Sequence, residues 1–289
     1  MSENEVVVEA WNTVLFEKFT RFKHLLIAGL ASYSAEVFSR RLYPPGARVL
    51  DVGCGFGDSA QRLASAVGPT GRAVGVDCAE RFIQAAEQDA RAEGISNVSF
   101  FAADVQRDDL RGPYDHIFAR FGTMFFMNPG AALLNIRRAL KPGGVFTQIV
   151  WRRREDNPWV HEAELRVRAI VPVVTHADAD AVHCGPGPFS MAGPDMVSAM
   201  MQGTGYRGVS FERFDTDICI GRDLNEAVEF AMALGPAGEI IRLAGEEGER
   251  LKPQVVTALR ATLAKFQRSD GVWGSSSAWI ITARNPAPS

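Results

Sequence analysis

Cysteine is scarce in this 289-residue chain, and its four copies, Cys54, Cys78, Cys184 and Cys219, are scattered. With no C-x-x-C pair there is no zinc knuckle and no disulfide scaffold. With no C-x-x-x-C-x-x-C there is no iron–sulfur radical centre. A surplus of either charge is missing too: 31 basic and 34 acidic residues leave a net −3. That balance gives no electrostatic footprint for nucleic acid. Long apolar runs are also lacking. The opening MSENEVVVEAW has neither the basic start nor the apolar core of a secretory leader. The longest apolar stretch near it, residues 25–31, is far too short to cross a bilayer. The expectation is a cytoplasmic protein with no nucleic-acid partner and no membrane insertion. A hydrophobic content of 46% and this length suffice for a large core without staples.

What is present is a change of texture near residue 44. Residues 6–42 carry Trp11, Leu15, Phe19, Phe22, Leu26, Leu30, Val37 and Phe38 at mixed three- and four-residue spacing, which predicts helix, stopped by Pro44-Pro45-Gly46. Short apolar runs then alternate with helical patterns. Strands are predicted at 48–52, 73–76, 98–102, 114–119 and 145–151, and helices at 57–67, 80–93 and 131–140. Such alternation with short loops means a parallel sheet covered on both faces, doubly wound because crossovers are right-handed. Beyond Trp151 the pattern predicts helices at 160–171, 194–203, 225–234 and 254–266. Strand is predicted at 208–214, 217–220 and 278–283.

The first predicted strand runs into VLDVGCGFGDSAQRL, residues 49–63. Glycines after a buried strand let the backbone turn sharply and let a ligand approach where no Cβ intrudes. Counted from Gly55, G-x-G-x-x-A fits a dinucleotide fingerprint, with Asp77 at a suitable distance for a ribose. The glycine that directly follows the strand is Gly53, however, and in that frame the third small position falls on Asp58. The natural frame is D-x-G-x-G-x-G, from Asp51 to Gly57.

That frame resembles motif I of class I S-adenosylmethionine-dependent methyltransferases. Gly75-Val76-Asp77 is similar to the family's second strand with its terminal acid, Ala103-Asp104-Val105 to the segment after its third, and Leu140-Lys141-Pro142-Gly143-Gly144 to the turn before its fifth. More narrowly, Arg120-Phe121-Gly122-Thr123-Met124-Phe125-Phe126, Asp156-Asn157-Pro158-Trp159 and Gly187-Pro188-Phe189-Ser190 resemble a bacterial subgroup similar to ubiquinone/menaquinone C-methyltransferases. The resemblance implies an α/β fold: a doubly wound, mostly parallel seven-stranded sheet, an antiparallel last strand and an added helical cap. It implies four regions: an N-terminal helical cap at 1–44, a cofactor-binding core at 45–151, a pocket-forming insertion at 152–206, and the rest of the sheet with inserted helices at 207–289.

The implied cofactor is S-adenosyl-L-methionine, leaving as S-adenosyl-L-homocysteine. Its expected contacts are Asp51, Gly53, Gly55, Gly57, Asp77, Cys78, Asp104, Val105 and Arg120. Asp77 would take both ribose hydroxyls and Asp104 the adenine amino group. Methyl transfer is an in-line displacement from a good leaving group, so positioning in a dry pocket supplies much of the rate and a base is optional. The pocket is expected beyond the carboxyl ends of the strands, walled by Trp11, Phe125, Phe126, Trp151 and Trp159. Aromatic walls suit a flat or greasy small molecule and can face a sulfonium.

His161 is the best candidate base. Arg120 either meets a substrate anion or pairs with Asp51 or Asp104. Phe118, Phe146 and His116 are expected to be structural, and Arg152-Arg153-Arg154 to be a solvated run paired with Glu155 and Asp156. His176, Asp178, Asp180, His183 and Cys184 are ligand types that suit zinc, but they stand alone in a Pro/Gly-rich loop and no metal is expected. The competing readings are an NAD(P)-dependent oxidoreductase using the Gly55 frame, and a cofactor-binding but non-catalytic partner protein. The oligomeric state stays open, a homodimer among the options.

Overall fold

The computed structural model describes residues 3–40, 43–172 and 186–287. Three helices come first: α1 (Glu3–Asn12), α2 (Val14–Arg21) and α3 (Lys23–Arg40). A single helix was expected from the sequence. It breaks at Thr13, whose hydroxyl turns back onto the carbonyl of Glu9 at 2.7 Å, and again at Phe22.

The α/β layer follows as β1 (Arg48–Val52), α4 (Asp58–Val67), β2 (Arg72–Asp77), α5 (Glu80–Ala92), β3 (Val98–Ala102), β4 (Tyr114–Arg120), α6 (Pro129–Ala139) and β5 (Leu140–Trp151). Then come α7 (Pro158–Arg168), α8 (Pro194–Gly203), β6 (Arg207–Gly221), α9 (Leu224–Leu234), α10 (Pro236–Leu243), α11 (Gly245–Leu263), β7 (Gln267–Arg268) and β8 (Gly271–Arg284).

The sheet order is β3-β2-β1-β4-β5-β8-β6, with the two-residue β7 pairing only β8. The first five strands are parallel, and β8 runs against both β5 and β6. The reversed strand expected from the sequence is therefore present, but it is longer than its apolar stretch. Glycine and serine at 274–277 hide the pattern, yet these residues keep pairing with β6. Likewise β6 is one continuous strand where two fragments were expected.

Strands buried on both faces read as continuous apolar runs, and Val49, Leu50, Val52, Val76, Ile117, Phe118, Phe146 and Ile149 are all fully buried. The predicted structural role of Phe118 and Phe146 agrees with that. His116 lies in β4, half-buried, and burial holds its pKa down. The helix α6 is started by Asn128, whose side chain accepts from the Ala131 N–H at 2.9 Å, with Pro129 at the first position.

Two helical groups stand over the carboxyl ends of the parallel strands. Trp11 and Phe16 pack on Phe82 of α5, and Phe16 also meets Phe56 of the glycine loop. Of these the Phe16–Phe82 pair is edge-to-face, a geometry that contributes about 0.5–1.5 kcal/mol. These contacts dock α1 and α2 beside the glycine loop. On the other side, α9, α10, α11 and α7 pack on one another against β6 and β8.

Candidate functional site

The glycine loop leaves β1 with three left-handed residues: Gly53 at φ 67°, Gly55 at φ 51° and Gly57 at φ 78°. Only glycine adopts this region freely. The three are not equivalent. A Cβ on Gly57 would lie 2.8 Å from Ala86 and from the Phe100 ring, and one on Gly53 would lie 3.1 Å from Gly122. Gly53 and Gly57 are thus needed for packing. A Cβ on Gly55 would meet no protein atom within 4 Å. It would point into a cavity of about 170 Å³ walled by Gly53, Cys54, Gly55, Asp58, Asp77 and Asp104, among others.

Asp77 ends β2 on this wall. Its Oδ2 accepts the Gly55 N–H at 3.0 Å and its Oδ1 accepts the Ala79 N–H at 3.1 Å. The carboxylate therefore fixes the loop while standing on the cavity wall. Burial raises its pKa, opposed by these backbone N–H groups. Cys78 lines the same cavity, and burial beside Asp77 and Asp104 pushes its thiol pKa up, which disfavours the thiolate.

Asp104 is 9% exposed and already well bonded: Oδ1 accepts from the Gln106 backbone and side chain at 3.0 and 3.1 Å, and Oδ2 from Asn4 at 2.7 Å. Arg107 lies 3.1 Å from Oδ2. Val105 and Gln106 line the cavity beside it. Asn4, from α1, thus occupies one acceptor position that the sequence reading assigned to an adenine amino group.

Asp51 is not on the cavity wall. It is 1% exposed, its Oδ2 accepts from the Ser59 hydroxyl at 2.6 Å, and Oδ1 accepts no hydrogen bond from the protein. Burial, aided by the charges of Asp58 and Asp77, pushes its pKa up to about 7. The folded state therefore binds this proton more tightly than the unfolded chain, and ionising Asp51 weakens the fold as pH rises from about 4 to about 7. Asp51→Asn keeps an acceptor for Ser59 and removes the titration. Its melting temperature relative to the native protein is expected to climb across that window and level off above it, by roughly 2–4 °C per kcal/mol relieved. Paired thermal melts between pH 4.5 and 8 measure this, and a constant offset would disprove the assignment.

Arg120 ends β4, partly buried on the cavity wall. Its Nη2 donates to Asp58 Oδ1 at 2.7 Å and its Nη1 to the Ser34 hydroxyl at 2.9 Å. Its partner is neither Asp51 nor Asp104, as the sequence had suggested, but the acid in the first turn of α4. Phe121 follows at φ 56°, a strained conformation for a non-glycine residue. That bend stacks its ring on Trp151 with centroids 4.0 Å apart.

Beyond Phe121 opens a second, larger cavity of about 850 Å³, mostly apolar. Trp11, Phe19, Leu26, Leu30, Phe121 and Phe125 line both cavities. Trp151 and Trp159 line only the second, and Phe126 only the first. Trp159 is seated where β8 has Gly274: a Cβ there would lie 2.5 Å from the indole.

His161 lines neither cavity. On α7 the stripe facing the second cavity is Val160, Glu164 and Arg168, four residues apart, and His161 is turned out of it. The arginine run is only partly self-paired. Arg152 meets Asp156 at 3.0 Å, but Arg154 reaches the buried Glu164 at 2.7 Å. The residues His176 to Cys184 lie outside the described ones. Among the described residues no cluster could hold a metal, and no helix is long and apolar enough to cross a membrane.

Sequence reasoning missed Asn4, Asp58, Phe82 and Gln106 in the first cavity, and Glu164, Arg168, Ile218 and Phe230 in the second. Only Asp58 had a local signal, as an acid at a helix N-terminus behind the glycines.

The sheet order, with one reversed strand, a glycine loop after β1 and acids after β2 and β3, is the arrangement that the resemblance in the sequence implied. Residues 44–177 match the family described as a methyltransferase domain. The chain is 33% identical over 111 residues to a demethylmenaquinone methyltransferase of Geobacillus kaustophilus, covering 38% of this chain and 47% of the relative. The chain spans about half the length of the curated relatives it matches. In fold it is similar to the YcgJ protein of Bacillus subtilis (TM-score 0.56, 18% identity, 89% of this chain and 100% of that one). It is also similar to a putative methyltransferase of Bacillus halodurans (TM-score 0.55, 16% identity, 89% and 100%).

Proposed function

We propose that the protein transfers a methyl group from S-adenosyl-L-methionine to an oxygen, nitrogen or carbon of a small, hydrophobic, ring-bearing metabolite. The observation that carries this reading is the pair of cavities sharing one aromatic and aliphatic wall. The first is polar at the glycine loop and suits a nucleoside. The second is apolar and suits a greasy acceptor. A methyl group at their junction would face the acceptor away from water, where proximity alone supplies much of the rate.

The residues present fit the cofactor. Gly55 leaves its side of the cavity clear, and Asp77 presents a carboxylate on the wall to a ribose diol. Asp104 stands with Val105 and Gln106 at the adenine end, where α1 would shift for Asp104 to exchange Asn4 for the base. Asp58 and Arg120 offer one negative and one positive group to the zwitterionic amino-acid end. When bound, the cofactor supplies an electrophilic methyl on a good leaving group. The protein's part is to hold it, align the acceptor and keep water out. Relatives named demethylmenaquinone methyltransferase support a ring with oxygen substituents as the acceptor. Docked over both cavities, α1–α3 act as the N-terminal cap, and α7 with α9 and α10 as the acceptor side.

An acid in the first turn of α4 argues against a dinucleotide, whose pyrophosphate would sit there. Calorimetric titration of the purified protein is expected to give micromolar or tighter binding of S-adenosylhomocysteine and no heat with NAD or NADP. The reverse pattern would overturn the reading.

A further inference from the structure

The larger cavity is apolar over most of its wall, yet its charged lining is lopsided. Among the described residues it carries Lys18, Arg154, Arg168 and Arg242 against Glu164 and Glu239. That is an excess of two positive charges, in a chain whose net charge is −3. Arg242 and Glu239 pair with each other at 2.7 Å, so the excess rests with Lys18 and with the cluster on α7. There one carboxylate serves two arginines. Glu164 takes Arg154 Nη1 at 2.7 Å and Arg168 Nε at 2.8 Å, both on Oε1. Among the described residues it is the one acid paired with either arginine, so one positive charge of the cluster is unbalanced.

The carboxylate is sealed in, but its partners are not. The Glu164 side chain is 4% exposed, against 40% for Arg154 and 47% for Arg168. Arg154 stands over the Phe189 ring, 5.1 Å from its centroid, and that ring lines the same cavity. Arg168 continues the Val160–Glu164 stripe that faces it. A cation beside an apolar wall is felt more strongly than one in water. The planar guanidinium fork matches a carboxylate in shape as well as charge.

Resting on the function proposed above, we infer that the methyl acceptor is an acid: an apolar ring body carrying a carboxylate, which Arg154 and Arg168 hold. The body fills the apolar part of the cavity, and Glu164 keeps both guanidinium groups in place from behind. The residual charge of one suits a monoanion. Neither arginine lines the glycine-loop cavity, so an acid end anchored on α7 leaves the rest of the acceptor to reach the wall that the two cavities share.

The test needs no knowledge of the natural acceptor. Calorimetric titration at pH 7.5 compares 2-naphthoate with 2-naphthamide, alike in shape but differing in charge. The native protein is expected to bind 2-naphthoate about tenfold more tightly, the effect of a charge-assisted pair. Arg168→Gln should shrink that preference to about twofold or less while leaving 2-naphthamide affinity within about twofold. Glu164→Gln removes the counter-charge and should widen the preference, by about threefold or more. Damage to packing would weaken both probes together, whereas an anion site moves their ratio in opposite directions in the two variants. Equal binding of the probes by the native protein, no binding of 2-naphthoate, full preference in Arg168→Gln, or a preference that Glu164→Gln leaves unchanged or narrows would each overturn the inference. The native comparison decides even if a variant fails to fold. S-adenosylhomocysteine binding, measured separately, reports on the glycine-loop cavity. Its absence beside an intact naphthoate preference would sink the methyltransferase reading and spare the acid site.

Discussion

Gly55→Val is expected to abolish S-adenosylhomocysteine binding, with a loss of more than about a hundredfold, in a protein that still folds. The reason is geometric. A Cβ at residue 55 meets no protein atom within 4 Å, so the branched side chain has room in the protein and takes it from the ligand. The folding cost is confined to the backbone, where φ 51° is strained for any residue with a Cβ, by roughly 1–2 kcal/mol. Gly57→Ala is the contrasting control. Its Cβ would lie 2.8 Å from Ala86 and the Phe100 ring at φ 78°. Strain and overpacking add, so it should lose about 2–4 kcal/mol of stability. Thermal melts and calorimetry on both variants separate the two roles. A folded Gly55→Val protein that binds S-adenosylhomocysteine normally would show that the loop is not the cradle.

The parts of this site that a reader of the sequence can find are those determined locally. Left-handed turns demand glycine, and buried parallel strands demand apolar runs, so the residues from Asp51 to Gly57 and the strands around them announce themselves. Asp77 and Asp104 stand out because each ends a strand. Long-range pairing cannot be found this way. Arg120 precedes an aromatic segment with no acid nearby, and its partner Asp58 is 62 residues away. Arg154 stands beside two acids in sequence, yet pairs with Glu164 one helix later. Asn4 meets Asp104 across 100 residues. His161 was favoured as a titratable residue after a tryptophan-rich segment. Which face of a helix looks into a cavity depends on how that helix is docked, and α7 presents Glu164 instead. The long β8 was hidden for a related reason. Its glycine and serine residues carry no alternation of their own and are held by pairing with β6.

Asp77→Ala is expected to weaken S-adenosylhomocysteine binding ten- to a hundredfold, as fits the loss of charge-assisted hydrogen bonds of about 1.5–3 kcal/mol. Weaker binding alone would be ambiguous, because Asp77 also accepts the Gly55 and Ala79 N–H groups and its removal loosens the loop. The two effects part company on a sugar analogue. If the carboxylate accepts from the ribose hydroxyls, the native protein should reject the 2′-deoxyribose analogue of S-adenosylhomocysteine by about tenfold. Asp77→Ala should then bind both compounds alike, since the partner of the missing hydroxyl is gone. A merely loosened loop would lower both affinities and keep their ratio, and the preserved ratio would end the assignment of Asp77 to the ribose. The pH dependence has a definite sign as well. Burial raises the Asp77 pKa, so protonation on acidification removes lone pairs from the diol at a higher pH than for an ordinary aspartate, and binding should weaken as pH falls. In Asp77→Ala that loss of affinity on acidification should disappear.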